Sequence, residues 1–134
     1  MLGDLLYEEQ GQITGTRVLT TETGLPRVET SFRAAGTFNG AHHEDIGTYE
    51  SVVNPDGTLI GNGHGLLVTD NGAMASWTGL GTVRMLDGGR TSIRGAVVYQ
   101  TTDERLRSLN GACGVFEHEV DADGKSNTKV WHWR

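Results

Sequence analysis

Twenty of the 134 residues are glycine, and several fall in alternating rows: Gly61, Gly63 and Gly65, then Gly79 and Gly81. They interrupt segments whose other residues alternate with the period of a β-strand. A missing side chain inside a strand marks a bend, a bulge or the close approach of another group. Repeated on neighbouring strands, this pattern predicts a small, strongly coiled barrel.

Turn chemistry divides the chain at regular intervals: Asn54-Pro55-Asp56-Gly57, Asp70-Asn71-Gly72, Asp87-Gly88-Gly89 and Asp121-Ala122-Asp123-Gly124. Between these turns lie alternating segments of roughly ten to twelve residues, the spacing of an antiparallel meander. Strands are predicted over 9–20, 27–38, 43–54, 58–69, 73–85, 90–101, 112–121 and 125–134. Pro26 and Pro55 fall at segment boundaries, where no ladder hydrogen bond is lost. One helical turn is expected near 102–110, with Thr101 and Glu104 as a capping box, Leu106 and Leu109 on one face, and Gly111 as the stop. Gly3 to Glu8 is expected to form a separate short element. The prediction is all-β: one domain over 1–134, an eight-stranded antiparallel up-and-down barrel.

The formal charge of −6 comes from acidic residues scattered along the chain, with no basic stripe, which argues against a nucleic-acid partner. No apolar run approaches the length of about 18 residues that a membrane helix needs, and the first residues lack the pattern of a signal peptide. The expectation is a soluble, cytoplasmic protein that does not partner a membrane. Cys113 is alone, so no internal disulfide forms.

Turn type sets register, and register sets which residues share a face. Placing Gly57 and Gly72 in left-handed positions sets Glu50 opposite Asn62, Thr48 opposite His64, and Ile46 opposite Leu66. Across the next turn, Leu66 lies beside Ser76, His64 beside Thr78 and Asn62 beside Leu80. One face then collects Ile46, Val52, Ile60, Leu66, Val68, Met74 and Leu80, with Glu50, Asn62, His64 and Thr78 among them. Its apolar character predicts that it lines the lumen, joined by Ile93, Val97 and Tyr99. The opposite face carries the glycines with Tyr49 and Trp77, and is expected to be the exterior or a contact between copies in a homo-oligomer.

Apolar walls with a few convergent polar groups are the usual make-up of a ligand pocket, and an eight-stranded barrel can hold one small guest. The predicted ligand is a small hydrophobic molecule. Its expected contacts are Thr48, Asn62, Leu66, Thr78, Leu80, Val97 and Tyr99, with Glu50 and His64 as the acid–base pair. Such a site needs no cofactor. His42-His43-Glu44-Asp45 attracts attention as a metal cluster, but adjacent strand residues point to opposite faces, so only His42 with Glu44, or His43 with Asp45, could converge. The spacing fits no metal motif, and a solvated strand end is expected there. If the lumen supports turnover, the reaction is isomerisation, cyclisation or elimination. The alternative is a non-catalytic protein that assembles through its glycine and aromatic face.

Several segments together resemble the allene oxide cyclase-like family of small bacterial barrels, a calycin-like architecture. These are Asp45-Ile46-Gly47-Thr48-Tyr49, the Gly61 to Gly65 alternation, Ala75-Ser76-Trp77-Thr78-Gly79, Arg94-Gly95-Ala96, and Leu109-Asn110-Gly111 leading to Val115-Phe116-Glu117. The resemblance covers nearly the whole chain and implies the barrel fold, a possible isomerase or cyclase, and a homo-oligomer. It transfers no catalytic residue.

Overall fold

A computed structural model describes residues 2–134. Eight strands follow one another around a closed barrel in which each pairs antiparallel with the next and the last pairs with the first. They are β1 (Leu2–Leu19), β2 (Arg27–Phe38), β3 (Ala41–Val53), β4 (Leu59–Thr69), β5 (Met74–Met85), β6 (Thr91–Gln100), β7 (Cys113–Val120) and β8 (Lys125–Trp133). Among the described residues, no helix is long and apolar enough to cross a membrane.

The turns work as their chemistry predicts. Gly57, Gly72 and Gly124 adopt φ of 88°, 84° and 81°, and the loops close with Asn54 N donating to Thr58 O at 2.8 Å and Thr69 N to Ala73 O at 2.9 Å. The register of β3 to β5 follows residue by residue, with Glu50 opposite Asn62, His64 opposite both Thr48 and Thr78, and Asn62 opposite Leu80. At the last hairpin Glu117 pairs with Lys129.

Two local expectations change. Gly3 to Glu8 is no separate element but the first part of β1, which pairs with β8 through register shifts near Leu5. The expected helical turn is a 3-10 segment, Glu104–Leu109, capped by Asp103, whose side chain accepts from Arg105 N. Thr101 instead donates its hydroxyl to Met74 O at 2.6 Å. Leu106 and Leu109 are buried as expected, and pack with Tyr7, Phe38, Leu67, Tyr99 and Val130 to plug the barrel at the end where the β2–β3 and β4–β5 turns lie.

The larger correction concerns which face is inside. The glycine and aromatic face lines the lumen, and the face bearing Glu50, Asn62 and His64 is the outer surface. Leu80 is 60% exposed and Leu66 45%, whereas Leu67, next to Leu66 in β4 and on the opposite face, is fully buried. Volume explains the inversion. An eight-stranded barrel is only just wide enough for side chains, so large residues fit inside where small ones face them. One ladder row reads Phe32, Gly47, Gly65, Trp77 across β2 to β5. The two rings stack over the glycines with centroids 6.3 Å apart. A Cβ on Gly47 would lie 2.6 Å from both rings.

Candidate functional site

Glycine and alanine also make room for a buried polar group. Glu9 of β1 pairs with Gly36 of β2, which pairs with His43 of β3. With no side chain at Gly36, Glu9 reaches across β2, and its Oε1 lies 2.8 Å from His43 Nε2. Two residues along β3, on the same inner face, stands Asp45. Its Oδ1 accepts from Trp77 Nε1 at 2.7 Å, and its carboxyl interacts electrostatically with that of Glu9. Glu9, His43 and Asp45 are all buried, Glu9 to 1% exposure.

Burial in this setting disfavours ionisation. Removal from water raises Glu9 to about 7. Asp45 is pushed well above the usual carboxylate range, first by burial and then by the charge of Glu9, against a smaller opposing pull from the Trp77 hydrogen bond. Burial lowers His43, so its imidazole is neutral. Two buried carboxyls that interact do not both ionise readily near neutral pH: Asp45 keeps its proton, and Glu9 is poised between its two states. Behind them the hydroxyls of Tyr7 and Tyr99 hydrogen-bond to each other.

The carboxyl pair opens onto a cavity of about 70 Å³. Its apolar walls include Phe32, Tyr49, Trp77, Ile93, Val97, Phe116 and Val130, and its floor is opened by Gly61, Gly63 and Gly79. The volume is several times the roughly 10–15 Å³ that holds one water and about half of a 150 Å³ cavity known to take benzene. It suits a guest of a few heavy atoms. His118 of β7 also borders it, with Nδ1 2.7 Å from Thr128 Oγ1 and the ring 5.3 Å from Phe32 and 5.6 Å from Tyr49 between centroids. Burial lowers His118 to about 4, so it too is neutral.

Of the site residues expected from sequence, Val97 lines the cavity and Tyr99 is buried in the core, though not on the face expected. Across the Asp87–Gly89 turn Val97 pairs with Gly79 and Tyr99 with Trp77, so both lie on the glycine face, out of phase with Leu80. Asn62 borders the cavity from between Gly61 and Gly63, while its side chain shares the outer face with the rest. There Glu50 is bound to Arg27, whose Nη2 lies 2.6 Å from Oε2, and Thr48 bonds Ser31 at 3.1 Å. His64, Leu66, Thr78 and Leu80 are exposed. The predicted acid–base pair therefore does not converge in the lumen. The same inversion removes the glycine and aromatic face as a surface for assembly, because it encloses the cavity.

The His42 to Asp45 segment is split by strand alternation. His42 and Glu44 are exposed, and bond Asp70 at 3.0 Å and Arg33 at 3.7 Å, whereas His43 and Asp45 turn inward. Among the described residues no group of three or more histidine, cysteine or acidic side chains is placed to hold a metal ion. The sequence signal for the true polar cluster was the alternation His43-x-Asp45-x-Gly47-x-Tyr49, which sets both polar residues on the glycine and aromatic face. Glu9 gave no such sign, because the first predicted strand began at that residue.

No protein-family model matches the chain, and no curated protein matches it in sequence. Solved structures share its fold. A β-barrel-like protein from Acinetobacter baumannii is 14% identical, with a TM-score of 0.82 over 100% of this chain and 96% of its own. A conserved protein of unknown function from Rhodopseudomonas palustris is 13% identical, with a TM-score of 0.79 over 98% and 97%. An enzyme from Penicillium herquei is 14% identical, with a TM-score of 0.66 over 96% and 92%. At these identities the likeness establishes a shared small-barrel fold.

Proposed function

We propose that the barrel binds a small, mainly apolar molecule in its lumen and moves a proton on it, as a cofactor-independent isomerase, cyclase or lyase. The observation that carries this reading is the buried Glu9–Asp45 carboxyl pair facing an apolar cavity, its two members driven to different proton affinities by burial and by each other. Titratable neighbours whose surroundings separate their pKa values divide naturally into base and acid. Glu9, close to half-ionised at neutral pH, is the base; Asp45, still protonated, is the hydrogen-bond donor.

For a carbonyl substrate the step balances without a co-reactant. Glu9 takes the proton from the carbon beside the carbonyl, and the C–H electron pair becomes the C=C bond of an enol. The charge that develops on the carbonyl oxygen is met by the Asp45 proton. Where the substrate carries a second C=C conjugated with that enol, Glu9 returns the proton to the far end of the dienol. The enol O–H proton meanwhile goes back to Asp45, which restores the carbonyl and completes an isomerisation. The reaction class agrees with what the resemblance to allene oxide cyclase-like barrels implies, and one similarly folded protein is described as an enzyme.

The test is a panel of small neutral ketones in deuterium oxide. Wild type should gain melting temperature with some of them and catalyse deuterium uptake beside their carbonyl, while Glu9→Gln should still bind and exchange about 100-fold more slowly. Flat melting profiles together with exchange no faster than the buffer blank would reject the proposal.

A further inference from the structure

The proton-transfer reading uses Glu9 and Asp45 and leaves His118 without a task. Its imidazole is buried, 5% exposed, and borders the same cavity. Thr128 takes up Nδ1, while Nε2 has no hydrogen-bond partner. Glu9 Oε2 likewise has no hydrogen-bond partner. Buried polar atoms are nearly always partnered, so an unpartnered one on a residue that lines a cavity points to what the cavity holds. A guest with polarity at one end only would leave His118 Nε2 unsatisfied.

The ladder supplies the scale. Glu9 pairs with Thr128 across β1 and β8, and Thr128 pairs with His118 across β8 and β7. The backbones of Glu9 and His118 thus stand two strand spacings apart, roughly 10 Å, with both side chains turned to the lumen. A short molecule can meet both. The cavity wall includes no lysine or arginine, so an anionic guest would bring its charge beside Glu9 with nothing to offset it.

We infer that the substrate is an uncharged carbonyl compound with a second oxygen a few bonds away, its carbonyl held at Asp45 and its second oxygen hydrogen-bonded to His118 Nε2. This rests on the lumen reading above and deepens it. His118 then determines specificity: neutral and anchored by Thr128, it recognises an oxygen by hydrogen bonding and leaves the proton chemistry to the carboxyl pair.

Butan-2-one and 4-hydroxybutan-2-one differ by one hydroxyl and serve as probes, titrated into the isotope-labelled protein by NMR. The hydroxyketone should bind about tenfold more tightly to wild type and move the Nε2 nitrogen resonance of His118, which butan-2-one should leave in place. His118→Phe should equalise the two affinities. Should that variant fail to fold, the Nε2 resonance of wild type decides alone. Equal wild-type affinities with an unmoved Nε2 resonance would overturn the two-oxygen substrate and leave the lumen reading standing. Binding of neither ketone would overturn both, and preferential binding of butylammonium would overturn the neutral substrate.

Discussion

Glu9 and His118 pull the pH dependence of stability in opposite directions. A free glutamate loses its proton near 4.5, whereas folded Glu9 keeps its proton to about 7. The stabilisation from this raised affinity is full below pH 4.5 and is lost as pH rises to 7, a change on the order of 3 kcal/mol. Asp45, which faces Glu9 together with His43, is raised as well and acts in the same direction. His118 does the reverse: lowered from 6.5 to about 4, it stays neutral when the unfolded chain takes up a proton, so it costs stability as pH falls from 6.5 towards 4. Urea melts should show Glu9→Gln gaining on wild type by about 3 kcal/mol between pH 5 and pH 8. His118→Phe should gain on wild type as pH falls from 6.5 to 4. Profiles parallel to wild type for both variants would mean that neither group is buried as described.

Among the strands, β4 and β5 depend on the absence of side chains facing Trp77. A Cβ on Gly65 would lie 2.5 Å from the Trp77 ring and 2.5 Å from Ile46 O, while one on Gly15 in β1 would meet nothing within 4 Å. Gly65→Ala should therefore destabilise by about 1–3 kcal/mol, as overpacking does, and Gly15→Ala should stay within about 0.5 kcal/mol of wild type. Thermal melts of the pair separate close packing from a general dislike of replacing glycine in strands, since equal losses would leave the packing argument without support. Here too lies the reason that the register of β3 to β5 was legible while the face, and the phase of β6, were not. Gly57 and Gly72 dictate local backbone geometry, and local geometry propagates along a hairpin to Glu50 and Asn62, Thr48 and His64. Inside and outside depend on the whole circumference. Leu66, Met74 and Leu80 make their face read as aliphatic while the other reads as glycine, yet the narrow lumen admits Trp77, Tyr49 and Phe32 only opposite glycine. Exposed leucines are ordinary on protein surfaces, so apolar alternation alone favoured the wrong side.

Closure of the whole barrel rests on a pairing between the most distant parts of the sequence. Leu2 lies opposite Trp133 and Glu9 opposite Thr128, and Asn127 Nδ2 donates to Glu8 Oε2 at 3.0 Å. Hairpin loops of about two to five residues join strands in this relation. A permuted chain with such a linker from Arg134 to Leu2 and new ends within Pro55–Gly57 should keep the same barrel. Circular dichroism and the Glu9-dependent pH profile would check it; a molten spectrum would show that folding requires the original chain order. The barrel itself was visible in sequence from turn spacing and glycine rows. The polar cluster was not, because Glu9, His43, Asp45 and His118 come from three strands, and only ring closure makes β1 and β8 neighbours.

The packing of Leu106 and Leu109 against Tyr7, Phe38 and Leu67 has a consequence for traffic. With that end stoppered, the chamber is a blind alley, and whatever enters must depart by the same doorway, past the rim formed by the β1–β2, β3–β4, β5–β6 and β7–β8 connections. Under the proposed chemistry, reactant and product would queue for one passage, and the rim would be the place where throughput is throttled.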